Sequence, residues 1–328
     1  MKTKHALLLS TLLATALAMP AAWSQTVLKL GWTTADSQDD PYAMGAHAFK
    51  NALAERVKDD VTVQFYPNRQ LGDEKQMLEG LRFGTVDAAV ITNAVVAQLE
   101  PALQLNDLPF LFSSPEKAYA VLDGKVGKEL AAKLDAKGIV VLGYMEGGFR
   151  HMLNNKRPVA APQDVQNVKY RVMQNPVFID MFNALGGSAV PMAWGETFTA
   201  VQQGTIDGLE IPLPVAVGNK YFEVTKYLSL TGHSYSSNLL LISKRVLNKM
   251  TPEQREAVIQ AGKDATAAQR RQNTENGEKL LATMKTQGMQ INRPDTFAPF
   301  QTAVQPIYDK YRARFGADLI DEALKAGK

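Results

Sequence analysis

The chain has 328 residues, 36 Lys and Arg against 33 Asp and Glu, and no cysteine. The net charge of +3 leaves no electrostatic footprint for nucleic acid, and the lack of cysteine excludes both a disulfide framework and a lipoprotein tether. At this length two lobes are expected rather than one, each able to bury an apolar core without covalent staples.

Residues 1–24 read as a secretion signal. Lys2 and Lys4 precede an apolar run over 6–19, and Ala22-Trp23-Ser24 offers small residues where a signal peptidase reads. The run is shorter than the ~20 residues that span a bilayer, so cleavage after Ser24 is expected rather than anchoring. Loss of the two leader lysines lowers the charge to about +1. The mature chain is expected to be soluble and periplasmic.

Residues 27–32 alternate and predict a first strand. Asp40-Pro41 reads as an N-cap with proline at the first helical position, and Met44, Phe49, Leu53 and Val57 set a helical stripe behind it. A second strand is predicted over 61–66. Pro67-Asn68 turns the chain, Gly72-Asp73 opens a helix through Met77, Leu78 and Leu81, and 86–91 is a third strand. This β-α-β-α-β order implies a parallel sheet with helices on its faces.

Ser114-Pro115-Glu116 caps another helix, and 139–144 is a buried strand. Short strands follow over 150–153 and 169–172, around a polar loop punctuated by Pro158 and Pro162. Helices are predicted over 176–185 and 196–203, and an apolar strand over 238–243. Thr251-Pro252-Glu253-Gln254 is a capping box that opens a long polar helix towards residue 285, with breaks at Gly262 and Gly277. A strand near 289–291 and a helix over 300–311 complete the chain.

No linker separates two domains, so the fold class expected is α/β with two interleaved lobes and a central ligand cleft, the long helix spanning both. Residues 25–147 plus 236–276 form the first lobe and 148–235 plus 277–328 the second. Ligands bind in such folds at the carboxyl ends of the strands, in the crevice between lobes.

Arg171 stands on a short strand just before a helix start, where a planar guanidinium can meet a carboxylate in two hydrogen bonds. Arg150 follows Gly147-Gly148-Phe149 and either lines the cleft or pairs with an acid. Trp194 can wall a pocket or pack in the core. Gln174 and Asn175 can donate to a ligand, with Asn175 better explained as the cap of the next helix. Enzyme signals are weak. His47, His151 and His233 have no metal-ligand spacing, and Gly232-His233-Ser234-Tyr235-Ser236 lacks the last glycine of a nucleophile elbow. Asp36-Ser37-Gln38-Asp39-Asp40 lacks the glycine and distal glutamate of a calcium loop.

Taken together, Tyr66-Pro67-Asn68-Arg69-Gln70-Leu71-Gly72-Asp73, Gly148-Phe149-Arg150, Lys169-Tyr170-Arg171-Val172, Pro191-Met192-Ala193-Trp194 and the run from Ala200 to Gly208 resemble the DctP-like periplasmic receptors of tripartite ATP-independent periplasmic (TRAP) transporters. The resemblance covers nearly the whole mature chain. It implies two α/β lobes that close around one ligand, and a membrane permease of a small and a large subunit as partner. It also implies that Arg171 pairs with the ligand carboxylate, that Arg150 is a second ligand arginine, that Trp194 lines the pocket, and that Gln174 and Thr92 contact the ligand. One position departs from the family: where an asparagine commonly reaches the ligand, this chain has Ile211 in Glu210-Ile211-Pro212. With Thr33, these residues make up the expected ligand-binding set, and no cofactor or metal is expected.

The reading is therefore a monomeric receptor, not an enzyme, for a small organic acid, with a C4-dicarboxylate or a sugar acid favoured and a 2-oxo acid or an aromatic acid left open. The alternatives are a receptor for an ATP-driven importer, a hydrolase or lyase using His233, Ser234 or Asp207, and a sensor partner of a membrane kinase.

Overall fold

The computed structural model describes residues 26–58, 60–315 and 317–328; the leader expected over residues 1–24 lies outside them. Among the described residues nine strands form one sheet: β1 (Thr26–Gly31), β2 (Val61–Tyr66), β3 (Ala88–Thr92), β4 (Ile139–Asn154), β5 (Lys169–Val172), β6 (Ser188–Pro191), β7 (Gly208–Pro212), β8 (Tyr227–Ser243) and β9 (Gln290–Asn292). The order is β2-β1-β3-β8-β4-β7-β5-β6, with β9 beside β8. β1 runs parallel to β2 and β3, as the opening β-α-β-α-β pattern implies, and β5 runs parallel to β6 and β7.

The two parallel groups are joined by β4 and β8, which run antiparallel to each other along 16 and 17 residues. The far end of β8 pairs with β3 and the far end of β4 with β7, so each long strand serves both halves. Sequence pattern shows only pieces of them. Gly147 and Gly148 split β4 into two apparent strands. The first part of β8 reads as loop because it is polar, yet Ser229, Thr231, His233, Ser234, Ser236 and Ser237 are all buried.

Strand alternation divides the apolar residues between the two faces of the sheet. Ala89, Ile91, Leu239 and Leu241 join one core; Ala88, Val90, Leu240 and Ile242 join the other. Helix starts follow their caps. Asp40 Oδ1 accepts from the N–H groups of Tyr42 (2.9 Å) and Ala43 (3.3 Å) to begin Pro41–Val57. Asn175 Oδ1 accepts from Val177 N–H (2.9 Å) to begin Pro176–Ala184. Each such cap is worth about 1 kcal/mol.

The long helix Pro252–Glu275 packs on Pro41–Val57 and β4. Gly277–Thr286 continues it, with Leu280 N–H donating to Asn276 O (3.0 Å), and packs on Leu213–Gly218 in the other half. Ala298–Phe315 packs on Pro176–Ala184. The final helix Ala317–Gly327 packs on Pro115–Asp123 in the first half, although the sequence division assigns 277–328 whole to the second lobe.

Candidate functional site

β3, β5 and β7 end at Thr92, Val172 and Pro212; helices begin immediately after β3 and β7, and at Pro176 after β5. Arg171 sits on β5 next to the strand's end and is buried. Its Nε and Nη2 donate to the Met192 carbonyl at 3.0 and 2.8 Å. Of the five guanidinium N–H donors, that carbonyl takes two, leaving three on the Nη1 and Nη2 edge. Among the described residues no carboxylate lies within 4.0 Å of Arg171, and burial pulls its pKa below the ordinary arginine value. The guanidinium lies 6.0 Å from the Trp194 ring.

The open edge faces a cavity of about 200 Å³ whose wall includes Arg171, Gln174, Trp194, Met192 and Glu74. Glu74 is a site residue that the sequence reading missed. It is buried, its Oε1 accepts from Thr92 N–H at 3.0 Å, and burial raises its carboxyl to about 7, against the lowering effects of that hydrogen bond and of the Arg171 charge. Glu74 falls in register with Met77, Leu78 and Leu81 on the apolar stripe of its helix. That is the signal that marks it, because an acid on a buried face needs a partner there.

Arg150 is placed differently. Its Nε is paired with Glu210 Oε2, and Nη2 donates to Glu210 Oε1 (2.9 Å) and to the Glu210 carbonyl (2.6 Å). Nη1 donates to Ser236 Oγ (3.2 Å), and the guanidinium covers the Phe178 ring at 5.1 Å. His233 Nε2 lies 3.3 Å from Glu210 Oε2, and its Nδ1 lies 2.8 Å from Thr231 Oγ1. Burial works to raise the Glu210 pKa, but the Arg150 charge and the His233 and Arg150 hydrogen bonds outweigh it and hold Glu210 below the ordinary value. Arg150 thus spends its donors inside the protein.

The remaining expected residues surround this centre. Thr92 is buried behind Glu74. Thr33 lines a second cavity of about 320 Å³ on the other side of Trp194, with Arg69 and Tyr221. Ile211 is buried in the sheet core, opposite His151 on β4. Asn175 bridges the halves through Nδ2, which donates to Ala94 O (3.1 Å) and Asp107 Oδ2 (2.9 Å). Gln98 Nε2 donates to Gln174 O (3.0 Å), and Asn219 Nδ2 to Asp40 Oδ2 (2.8 Å), across the same divide. Ser234 Oγ donates to Asp107 O (3.3 Å) while both ring nitrogens of His233 are engaged elsewhere, so the two do not form a nucleophile–base pair.

A family model described as bacterial extracellular solute-binding protein, family 7, matches residues 33–314. The 2,3-diketo-L-gulonate-binding periplasmic protein YiaO of Escherichia coli (strain K12) is 36% identical over 264 residues, which cover 80% of each chain. A TRAP periplasmic solute binding protein from Bordetella bronchispeptica, with pantoate assigned to its ligand density, has a TM-score of 0.89 at 36% identity and covers 93% of this chain and 100% of its own. One from Polaromonas sp JS666, bound to D-erythronate, has a TM-score of 0.88 at 36% identity and covers 92% and 98%. The α/β periplasmic-binding-protein architecture expected from the sequence is the fold these proteins share with this chain.

Proposed function

The chain belongs to the family of bacterial extracellular solute-binding proteins, family 7, the DctP-like receptors of TRAP transporters, and from that premise we propose that it captures a small hydroxy or oxo carboxylate on Arg171 for delivery to a TRAP permease. One observation carries the reading: a buried guanidinium with an open edge, facing a cavity and lacking a carboxylate partner among the described residues. Such a charge is costly to bury alone, and a ligand carboxylate supplies the missing partner. Each charge-assisted hydrogen bond formed there contributes about 1.5–3 kcal/mol. Closure of the two halves excludes water and strengthens those bonds. The Gln98–Gln174, Asn175–Asp107 and Asn219–Asp40 contacts are suited to hold the closed form.

Arg171 favours one carboxylate. Arg150 is neutralised by Glu210, and Glu74 beside Arg171 disfavours a second anionic group while accepting from hydroxyls. This supports hydroxylated or oxo monocarboxylates over C4-dicarboxylates, the diketogulonate, pantoate and D-erythronate of three relatives being of the first kind, while two others are named for a C4-dicarboxylate and for succinate. Arg171, Gln174 and Trp194 contact the ligand, with Thr92 and Thr33 on its borders, while Ile211, expected from the sequence to line the pocket, packs in the sheet core and lines neither cavity beside Trp194. The protein works as a periplasmic receptor without catalytic turnover. Among the described residues no helix is long and apolar enough to cross a membrane.

A thermal-shift screen of unfolded and refolded protein tests the reading. Sugar acids and branched hydroxy acids are expected to raise the melting temperature, with about 2.7 kcal/mol gained at a hundred times the dissociation constant. Absence of any shift across sugar acids, hydroxy acids, oxo acids and dicarboxylates would remove the carboxylate premise.

A further inference from the structure

A larger cavity of about 590 Å³ lies away from Arg171 and shares no lining residue with the two cavities beside Trp194. It sits where the long strands cross between the halves. In the β4–β8 ladder Arg150 pairs with Ser234 and Met152 with Ser229, so residues 230–233 bulge opposite His151 alone. Gly232 takes φ 52° within the bulge, a conformation that suits glycine, and its N–H donates to His151 Nδ1 at 3.2 Å. Nδ1 is therefore the acceptor, and the neutral ring carries its proton on Nε2, which has no hydrogen-bond partner among the described residues.

We propose that this cavity is a second ligand site, for a small amphipathic carboxylate with an aromatic or branched apolar body. Phe110, Phe149, Leu213, Leu230, Leu281 and Phe297 supply apolar walls, and the volume falls within the range of small-molecule pockets. Arg293 supplies the charge. No acidic side chain lines the cavity, and no carboxylate lies within 4.0 Å of Arg293 among the described residues. Its guanidinium is 5.5 Å from the Phe297 ring and close enough to His151 to help keep that imidazole neutral, secondary to burial and the charge of His233. Lys328 closes the rim with its Nζ on Phe110 O (2.7 Å), leaving two of its three donors beside the guanidinium of Arg293.

Part of the lining comes from β4, β8 and the helix junction at Gly277, segments that pass from one half to the other.

Calorimetric titration with 3-phenylpropionate tests the site. The wild-type protein and Arg171→Ala are expected to bind it with one-to-one stoichiometry and equal affinity. Arg293→Ala, an exposed position, should weaken that binding about tenfold or more while leaving sugar-acid binding intact, and Leu281→Trp should abolish it by filling the cavity. Three results would each overturn the proposal: no saturable binding to the wild type, binding lost in Arg171→Ala, or binding untouched by both Arg293→Ala and Leu281→Trp.

Discussion

Two buried arginines stand in one protein with opposite bookkeeping of charge. Arg150 has a carboxylate, a carbonyl and a hydroxyl for its donors, and the carboxylate is steadied by His233. Arg171 has one carbonyl on one edge and a cavity on the other. The first is a closed unit that ties β4 to β7 and β8; the second is left without a counter-charge among the described residues, which under the proposed function a ligand carboxylate supplies. Burial alone does not mark a functional arginine. What marks it is the missing counter-charge, and the difference should be visible in what each substitution disturbs.

The largest effect is expected at Arg171. Arg171→Ala should weaken organic-acid binding by about 3–5 kcal/mol, roughly two to four orders of magnitude, while the melting temperature of the ligand-free protein stays nearly unchanged. Calorimetry on refolded protein reads the first and differential scanning calorimetry the second. Glu210→Gln should do the reverse. It strands Arg150 in the interior, costs about 3–5 kcal/mol of folding stability and lowers the melting temperature by roughly 10 °C. Replacing both partners, Arg150→Met with Glu210→Leu, should recover most of that loss. A pair that recovers nothing would show that Arg150 serves more than Glu210.

Glu74 sharpens the contrast through pH. Its folded pKa of about 7 lies above the ordinary 4.5, so the folded state holds the proton more tightly. Its contribution therefore makes the protein less stable as pH rises from about 4.5 to about 7, by of order 3 kcal/mol. Asp40, raised to about 6, and Asp107, raised to about 7, slope the same way. Glu74→Gln should flatten part of the fall in melting temperature between pH 5 and 7.5. Ligand affinity should also drop as pH rises through about 7, because an ionised Glu74 repels the carboxylate on Arg171, and the variant should lose that dependence. The smallest effect is expected at Trp194. Trp194→Ala should cost about 1 kcal/mol in binding, and Trp194→Phe less, since a phenyl ring still covers the guanidinium. Equal losses in the two variants would mean that the indole N–H is engaged instead.

The parts of this fold written in local chemistry are legible in the sequence. Asp40, Asn175 and Thr251 cap the helices they are expected to cap, and Lys169–Val172 is a strand as its pattern predicts. Arg171, Gln174 and Trp194 lie close enough along the chain to suggest one cavity, and the structure brings them into one. The rest depends on partners far apart. Arg150 meets Glu210 across 60 residues, and nothing near either residue announces the pair. The first part of β8 is polar yet buried, because its serines and His233 find partners in distant segments such as Glu210 and Asp107. β6 and β7 are too short for period-2 alternation to stand out, and each is held by a neighbour rather than by its own pattern.

The most direct measurement compares one acid with its own primary amide on the wild-type protein. A hydroxy acid that raises the melting temperature is titrated calorimetrically into refolded receptor, and its neutral amide, of nearly the same shape, is titrated in parallel. If Arg171 captures charge, the acid binds at least about a hundredfold more tightly, and the advantage disappears in Arg171→Ala. Equal affinities for acid and amide in the wild type would contradict the assignment of Arg171 as the carboxylate clamp.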